Sequence, residues 1–209
     1  MFTDILWDFD GTLFDTYPGT VETFLQALRD EGIEADYDDV MERMRESVSD
    51  AMGHYIGKYG LGRSFTEKFD RCRRERVRRE VRLFPHAAEM VRGVYRSGKR
   101  NYLYTHRGNS AIEYLEIHDL IDCFSDCVTY EDGFPMKPSP DAILHLVAKH
   151  GIKKECAVMV GDRKIDILAA KNAGIRSCFF FPDESVTCES ADYTVRSLDE
   201  IAPIIGIAY

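Results

Sequence analysis

Nowhere in its 209 residues does the chain offer an uninterrupted apolar run near the roughly 18 residues a membrane span needs. Basic residues are outnumbered, 27 Lys and Arg against 36 Asp and Glu, and the net charge of −9 argues against a general nucleic-acid binder. The opening Met1-Phe2-Thr3-Asp4 has no basic segment and no small-residue cleavage site, so the expectation is a cytoplasmic chain without an export signal. Six cysteines stand at 72, 123, 127, 156, 178 and 188, none of them in a Cys-x-x-Cys pair. Reduced thiols are expected, with no zinc site. Repeats and low-complexity stretches are absent as well. Disorder is excluded by a composition that is 44% hydrophobic and 11% aromatic, enough for a sizeable core.

The elements follow from periodicity. Thr3 to Trp7 is a short apolar run ending in acids and Gly11, which predicts a buried strand and a turn. Val21, Phe24, Leu25 and Leu28 predict a helix over 18–31, stopped by Gly32. Met41, Met44, Val48, Met52, Tyr55, Ile56 and Tyr59 predict one continuous helical face, read as the core of a helical lobe. Residues 64–82 are helical in pattern and rich in arginine. Further strands are expected at 101–105, 127–129, 157–160 and 177–181. Between them lie helices near 87–97, over 110–117, from Ser139-Pro140-Asp141 to His150, and up to Gly174. Alternating strands and helices imply a parallel sheet covered on both faces. The fold expected is therefore an α/β, Rossmann-like parallel-sheet core formed by 1–16 and 83–209, carrying an inserted α-helical cap at 17–82.

In such sheets, ligands gather at the carboxyl ends of the strands. Asp8 and Asp10 follow the first predicted strand, Thr105 the second, and Gly161-Asp162 the one at 157–160, with Asp166 a helical turn later. Carboxylates gathered at one rim repel unless a cation neutralises them, and oxygen ligands suit Mg²⁺. Lys137, set between prolines just ahead of a helix, offers a fixed positive charge.

The ordered segments Asp8-Phe9-Asp10-Gly11-Thr12-Leu13-Phe14-Asp15-Thr16, Thr105, Lys137-Pro138 and Gly161-Asp162-Arg163-Lys164-Ile165-Asp166 resemble the four motifs of the haloacid dehalogenase superfamily. The cap between the first two motifs is similar to that of phosphoglycolate phosphatase-like members. The resemblance implies a Mg²⁺-dependent phosphatase acting on a small phosphorylated metabolite, as monomer or homodimer, with no nucleic-acid or membrane partner. It implies Asp8 as the nucleophile and Asp10 as the acid and base. Thr105 and Lys137 would bind the phosphoryl group, and Asp8, Asp162, Asp166 and the main-chain carbonyl of Asp10 would hold the metal.

Some positions depart from the pattern. His106 stands where Asn or Ser is common, and reads equally as a substrate contact or as a residue leading into the next helix. Pro85-His86 replaces a common Pro-Gly. Arg71, Arg73, Arg74, Arg76, Arg78, Arg79 and Arg82 form either a solvated face or a seat for an anionic substrate tail. Tyr17-Pro18-Gly19 reads as the hinge linker. A β-phosphoglucomutase-type mutase is the nearest alternative, disfavoured because no histidine precedes His54. The other is a catalytically silent partner-binding protein, which would not need Asp8, Asp10, Thr105, Lys137, Asp162 and Asp166 together.

Overall fold

The computed structural model describes residues 1–80 and 82–208, those at 76–80 by their backbone alone. Its chain forms two compact units, Met1–Phe14 with Leu83–Tyr209, and Asp15–Arg82.

The first unit is built on six parallel strands: β1 (Asp4–Trp7), β4 (Arg100–Tyr104), β5 (Phe124–Val128), β6 (Ala157–Gly161), β7 (Arg176–Phe180) and β8 (Tyr193–Val195). They run in the order β5-β4-β1-β6-β7-β8. Every residue of β1 and β6 is buried, as expected of central strands covered on both faces. Leu6, Tyr102 and Met159 pack with Ile143 and Leu146 of α7 (Asp141–His150) and Ala169 and Ala170 of α8 (Lys164–Ala173). Helix α5 (Ala87–Arg96) buries Ala87, Met90, Val91 and Val94. The lone tryptophan is fixed as well as buried: Trp7 Nε1 donates to Asn101 Oδ1 at 2.8 Å, and Asn101 in turn donates to the carbonyls of Val91 and Cys123. Helices α6 (Ser110–Ile117) and α9 (Ile201–Ile205) complete the unit. A separate two-stranded ribbon pairs β2 (Phe14–Asp15) with β3 (Arg82–Leu83).

The second unit is helical: α1 (Tyr17–Asp30), α2 (Tyr37–Glu46), α3 (Val48–Tyr59) and α4 (Arg63–Glu80). Phe24 lies at its centre, with the rings of Tyr55, Phe65 and Phe69 set edge-on at 5.2–5.6 Å. The methionine and tyrosine stripe does form core here, through Met41, Met44 and Tyr55.

Several sequence expectations need correction. The stripe over 41–59 is not one helix: Ser47 breaks it with an extended backbone, and its side chain caps α3 by accepting from Asp50 N–H. Tyr17-Pro18-Gly19 is not a linker but the first turn of α1, where proline's fixed φ is already helical. Ser139 does not cap α7; Pro140 stands at the cap, and the Ser139 hydroxyl bonds the Asp141 carboxylate instead. The fifth strand begins earlier than expected, at Phe124. Beyond 181, where the pattern gave no strand, the chain adds β8 and α9. Of the arginine-rich segment, the side chains of Arg76, Arg78 and Arg79 lie outside the described residues. Arg71, Arg74 and Arg82 are exposed, and Arg73 pairs with Asp70. No described helix is long and apolar enough to cross a membrane.

Candidate active site

Register builds the site. Trp7 stands opposite Leu103 on one side and Val160 on the other, so the residues that follow β1, β4 and β6 emerge together at the carboxyl rim. Those residues are Asp8, Thr105 and Asp162, all at most 4% exposed. The Asp8 amide donates to Val160 carbonyl at 2.9 Å, extending the β1–β6 ladder by one bond into the site.

Asp166 joins them from the first turn of α8, where it caps the helix: its Oδ2 accepts from the Arg163 amide at 3.0 Å. Its approach depends on Gly161. A Cβ at that position would lie 2.4 Å from Asp166 Cβ and 2.5 Å from Cγ, closer than side-chain atoms come.

Lys137 reaches the same point from the loop before α7 and has no exposed side-chain surface. Its Nζ donates to Asp8 Oδ1 and to the Tyr104 carbonyl, both at 2.9 Å. It also makes an oblique 2.7 Å ion pair with Asp166 and lies 4.5 Å from the Tyr104 ring centroid. Burial works against this ammonium, but Asp166 and Asp8 overcome it and hold its pKa above the ordinary lysine range. For Asp8 the balance differs. Burial, reinforced by Asp166, pushes its carboxyl up to about 6 despite Lys137 and Arg163. Asp166, opposed by the same burial, is held below the usual carboxylate range by Lys137 and Arg163.

Oxygens of Asp8, Asp162 and Asp166 lie within 4.8 Å of one another. Asp8 Oδ2 is fully buried and receives no hydrogen bond; Arg163 Nη2 lies 3.9 Å from it. Thr12 Oγ1 donates to Asp162 Oδ1 at 3.2 Å. Three convergent carboxylates, two of them with a buried oxygen that accepts no hydrogen bond (Asp8 Oδ2 and Asp166 Oδ1), fit a hard divalent cation.

Asp10 is oriented elsewhere. Arg107 forks onto its carboxylate, Nε at 3.1 and 3.2 Å from the two oxygens and Nη2 at 2.5 Å from Oδ1. Thr105 Oγ1 accepts from the Arg107 amide at 3.0 Å, which leaves its own proton available to a phosphoryl oxygen. His106 turns its ring toward the protein: Nε2 accepts from the Lys137 amide at 2.7 Å. That bond requires an unprotonated Nε2, and burial, with Lys137 and Arg163, lowers the ring's pKa to about 3.

All the residues singled out in the sequence, namely Asp8, Asp10, Thr105, His106, Lys137, Asp162 and Asp166, thus belong to this rim or its immediate supports. Sequence reasoning gave no role to Arg107, Arg163 or Gly161. Their only signal was adjacency to a motif residue.

The haloacid dehalogenase-like hydrolase family matches residues 5–180, and the chain belongs to it. Its relatives narrow the class further. A phosphoglycolate phosphatase of Vibrio parahaemolyticus is 30% identical, over 98% of this chain and 96% of its own. The pyrophosphatase PpaX of Halalkalibacterium halodurans is 27% identical, over 97% and 96%. Among solved structures, a hydrolase from Streptococcus pneumoniae matches 98% of both chains with a TM-score of 0.68 and 26% identity. A HAD-superfamily hydrolase of subfamily IA from Geobacter sulfurreducens shares the fold, with a TM-score of 0.76 over 98% of this chain and 97% of that one, at 20% identity.

Proposed function

We propose that the protein is a Mg²⁺-dependent phosphatase that hydrolyses a small phosphomonoester through an aspartyl-phosphate on Asp8. The observation that carries this reading is the Asp8 carboxylate itself: buried, gripped on one oxygen by Lys137, unbonded on the other, and ringed by Asp162 and Asp166. Asp8, Asp162 and Asp166, with the main-chain carbonyl of Asp10, would hold the ion. A bound Mg²⁺ would neutralise the clustered carboxylates and polarise a phosphoryl oxygen.

The remaining chemistry is the chain's own. The Asp8 carboxylate attacks phosphorus and the bond to the ester oxygen breaks, turning one hard displacement into two easier ones. Asp10 delivers a proton to the departing oxygen, then takes one from the water that hydrolyses the aspartyl-phosphate. Inorganic phosphate leaves and Asp8 is regenerated. Thr105 and Lys137 supply hydrogen bonds and positive charge to the phosphoryl oxygens, where most phosphoryl-transfer catalysis arises. Lys137 also keeps the nucleophile aimed.

Names of relatives point to 2-phosphoglycolate first and pyrophosphate second. A panel containing both, β-glucose 1-phosphate and p-nitrophenyl phosphate, assayed with Mg²⁺, ranks them. Asp8→Asn should lower turnover by at least about 10³-fold while the circular dichroism spectrum still shows a folded chain. EDTA should abolish activity reversibly. Full turnover by the Asn variant would refute the nucleophile assignment.

A further inference from the structure

We propose that Arg107 is a positioning residue for Asp10, fixing its carboxylate in the one orientation from which it can exchange a proton with the reacting oxygens. This rests on the acid and base role given to Asp10 above. Asp10 needs such a device. It sits in the turn after β1, next to Gly11 at φ +79°, and its side chain is 26% exposed, far more open than that of Asp8. A short carboxylate on a turn can rotate about two side-chain bonds, and a single contact would leave one of them loose. Two-point contact from a planar guanidinium removes both freedoms.

The guanidinium is itself held firmly. Its side chain is only 9% exposed, and its carbon lies 5.1 Å from the Phe9 ring centroid and 5.9 Å from that of Tyr114. The Arg107 amide donates to Thr105 Oγ1, and its carbonyl accepts from the Tyr130 amide, both at 3.0 Å. One residue therefore touches both the hydroxyl assigned to the phosphoryl group and the carboxylate assigned to the leaving group. Arg107 directs two of its three contacts, the shortest among them, at Oδ1, and the proton to be exchanged is assigned to Oδ2. In the first half-reaction that proton passes to the ester oxygen as its bond to phosphorus breaks; in the second it is replaced from water.

The test compares esters that do and do not need a proton on the departing oxygen. An alkyl phosphate (2-phosphoglycolate or glycerol 3-phosphate) expels a strongly basic alkoxide, whereas p-nitrophenyl phosphate expels a stable phenolate. In rapid-quench measurements of Asp8 phosphorylation, Arg107→Met should slow reaction with the alkyl ester at least about 30-fold, a part of the roughly 10²–10⁴-fold that general acid catalysis supplies. With the aryl ester the loss should stay below about 3-fold, with KM little changed for either. Arg107→Lys, which keeps charge but loses the fork, should fall between Met and wild type, and it decides the matter alone if the Met variant does not fold. Equal losses on both esters, or a rise in KM alone, would overturn the proposal. So would an Arg107→Met loss that is as large in an Asp10→Asn background as in wild type. If Asp10→Asn itself shows no leaving-group dependence, the acid and base reading fails; if it does and Arg107→Met does not, the positioning role alone fails.

Discussion

An ammonium group with no exposed surface survives at Lys137 because two carboxylates and a carbonyl surround it. Lys137→Met would leave Asp8 and Asp166 facing each other without it. Breaking a buried ion pair from one side costs about 3–5 kcal/mol, read as a fall in the denaturant midpoint at pH 7.5. The loss should shrink at pH 5, where one of the two carboxyls can take up a proton. His106 titrates in the opposite sense. Its folded-state value of about 3 lies below the value of 6.5 for a free ring. Protons therefore bind the unfolded chain preferentially, and this contribution is fully present above pH 6.5 and lost as pH falls toward 3. His106→Gln can accept the same bond from the Lys137 amide without titrating. Its melting temperature should fall less than that of wild type between pH 7 and pH 4; parallel curves would assign the acid sensitivity elsewhere.

The junction from β6 to α8 shows how an element can be built around one absent side chain. Gly161→Ala would set a methyl 2.4 Å from Asp166 Cβ, so the first turn of α8 must shift. We expect a loss of about 1–3 kcal/mol in stability. Mg²⁺ affinity by titration calorimetry should also weaken by about tenfold or more, as Asp166 leaves the cluster. The strands themselves were readable: β1, β4 and β6 are largely apolar runs cut off by Asp8, Thr105 and Asp162, β7 runs on only to Phe181-Pro182, and buried strands look like that. The elements that escaped did so for local reasons. Tyr193–Val195 is a three-residue edge strand with two exposed positions, too short to carry a period. The break at Ser47 is masked because Met44, Val48 and Met52 continue the i+4 spacing straight across it. Asp8, Thr105 and Asp162 could be placed because strand ends converge in any parallel sheet, and Lys137 because prolines flank it just ahead of a helix. Arg107 could not, since its partner lies 97 positions away and only the folded chain shows which way the guanidinium turns.

Across the whole molecule, the sheet order matters more than any single bond. β1 lies between β4 and β6, so its two edges are completed by segments from the middle and the last third of the sequence. A chain ending at residue 150 would keep α1 to α7 yet leave one edge of β1 bare, with the apolar run Ile5-Leu6-Trp7 beside it. We expect that fragment to melt without a cooperative transition and to aggregate, as followed by circular dichroism and light scattering. A soluble, cooperatively folded fragment would show that β6 is dispensable to the core. The two-unit division makes a second outcome measurable in the same experiment. The Asp15–Arg82 helices have their own aromatic core, so residual helical signal should come from them.

Thr12 and Asp162 touch across 150 positions of sequence. On a ribosome adding about 5–20 residues per second, the Asp8 carboxylate therefore exists for on the order of ten seconds before the acids that surround it in the fold are even made. A nascent chain carries Asp8 in water, ionised and ordinary. On the proposed function it becomes chemically competent only once Asp162 and Asp166 have been made, so a nascent chain that stops short of them would hold no working site.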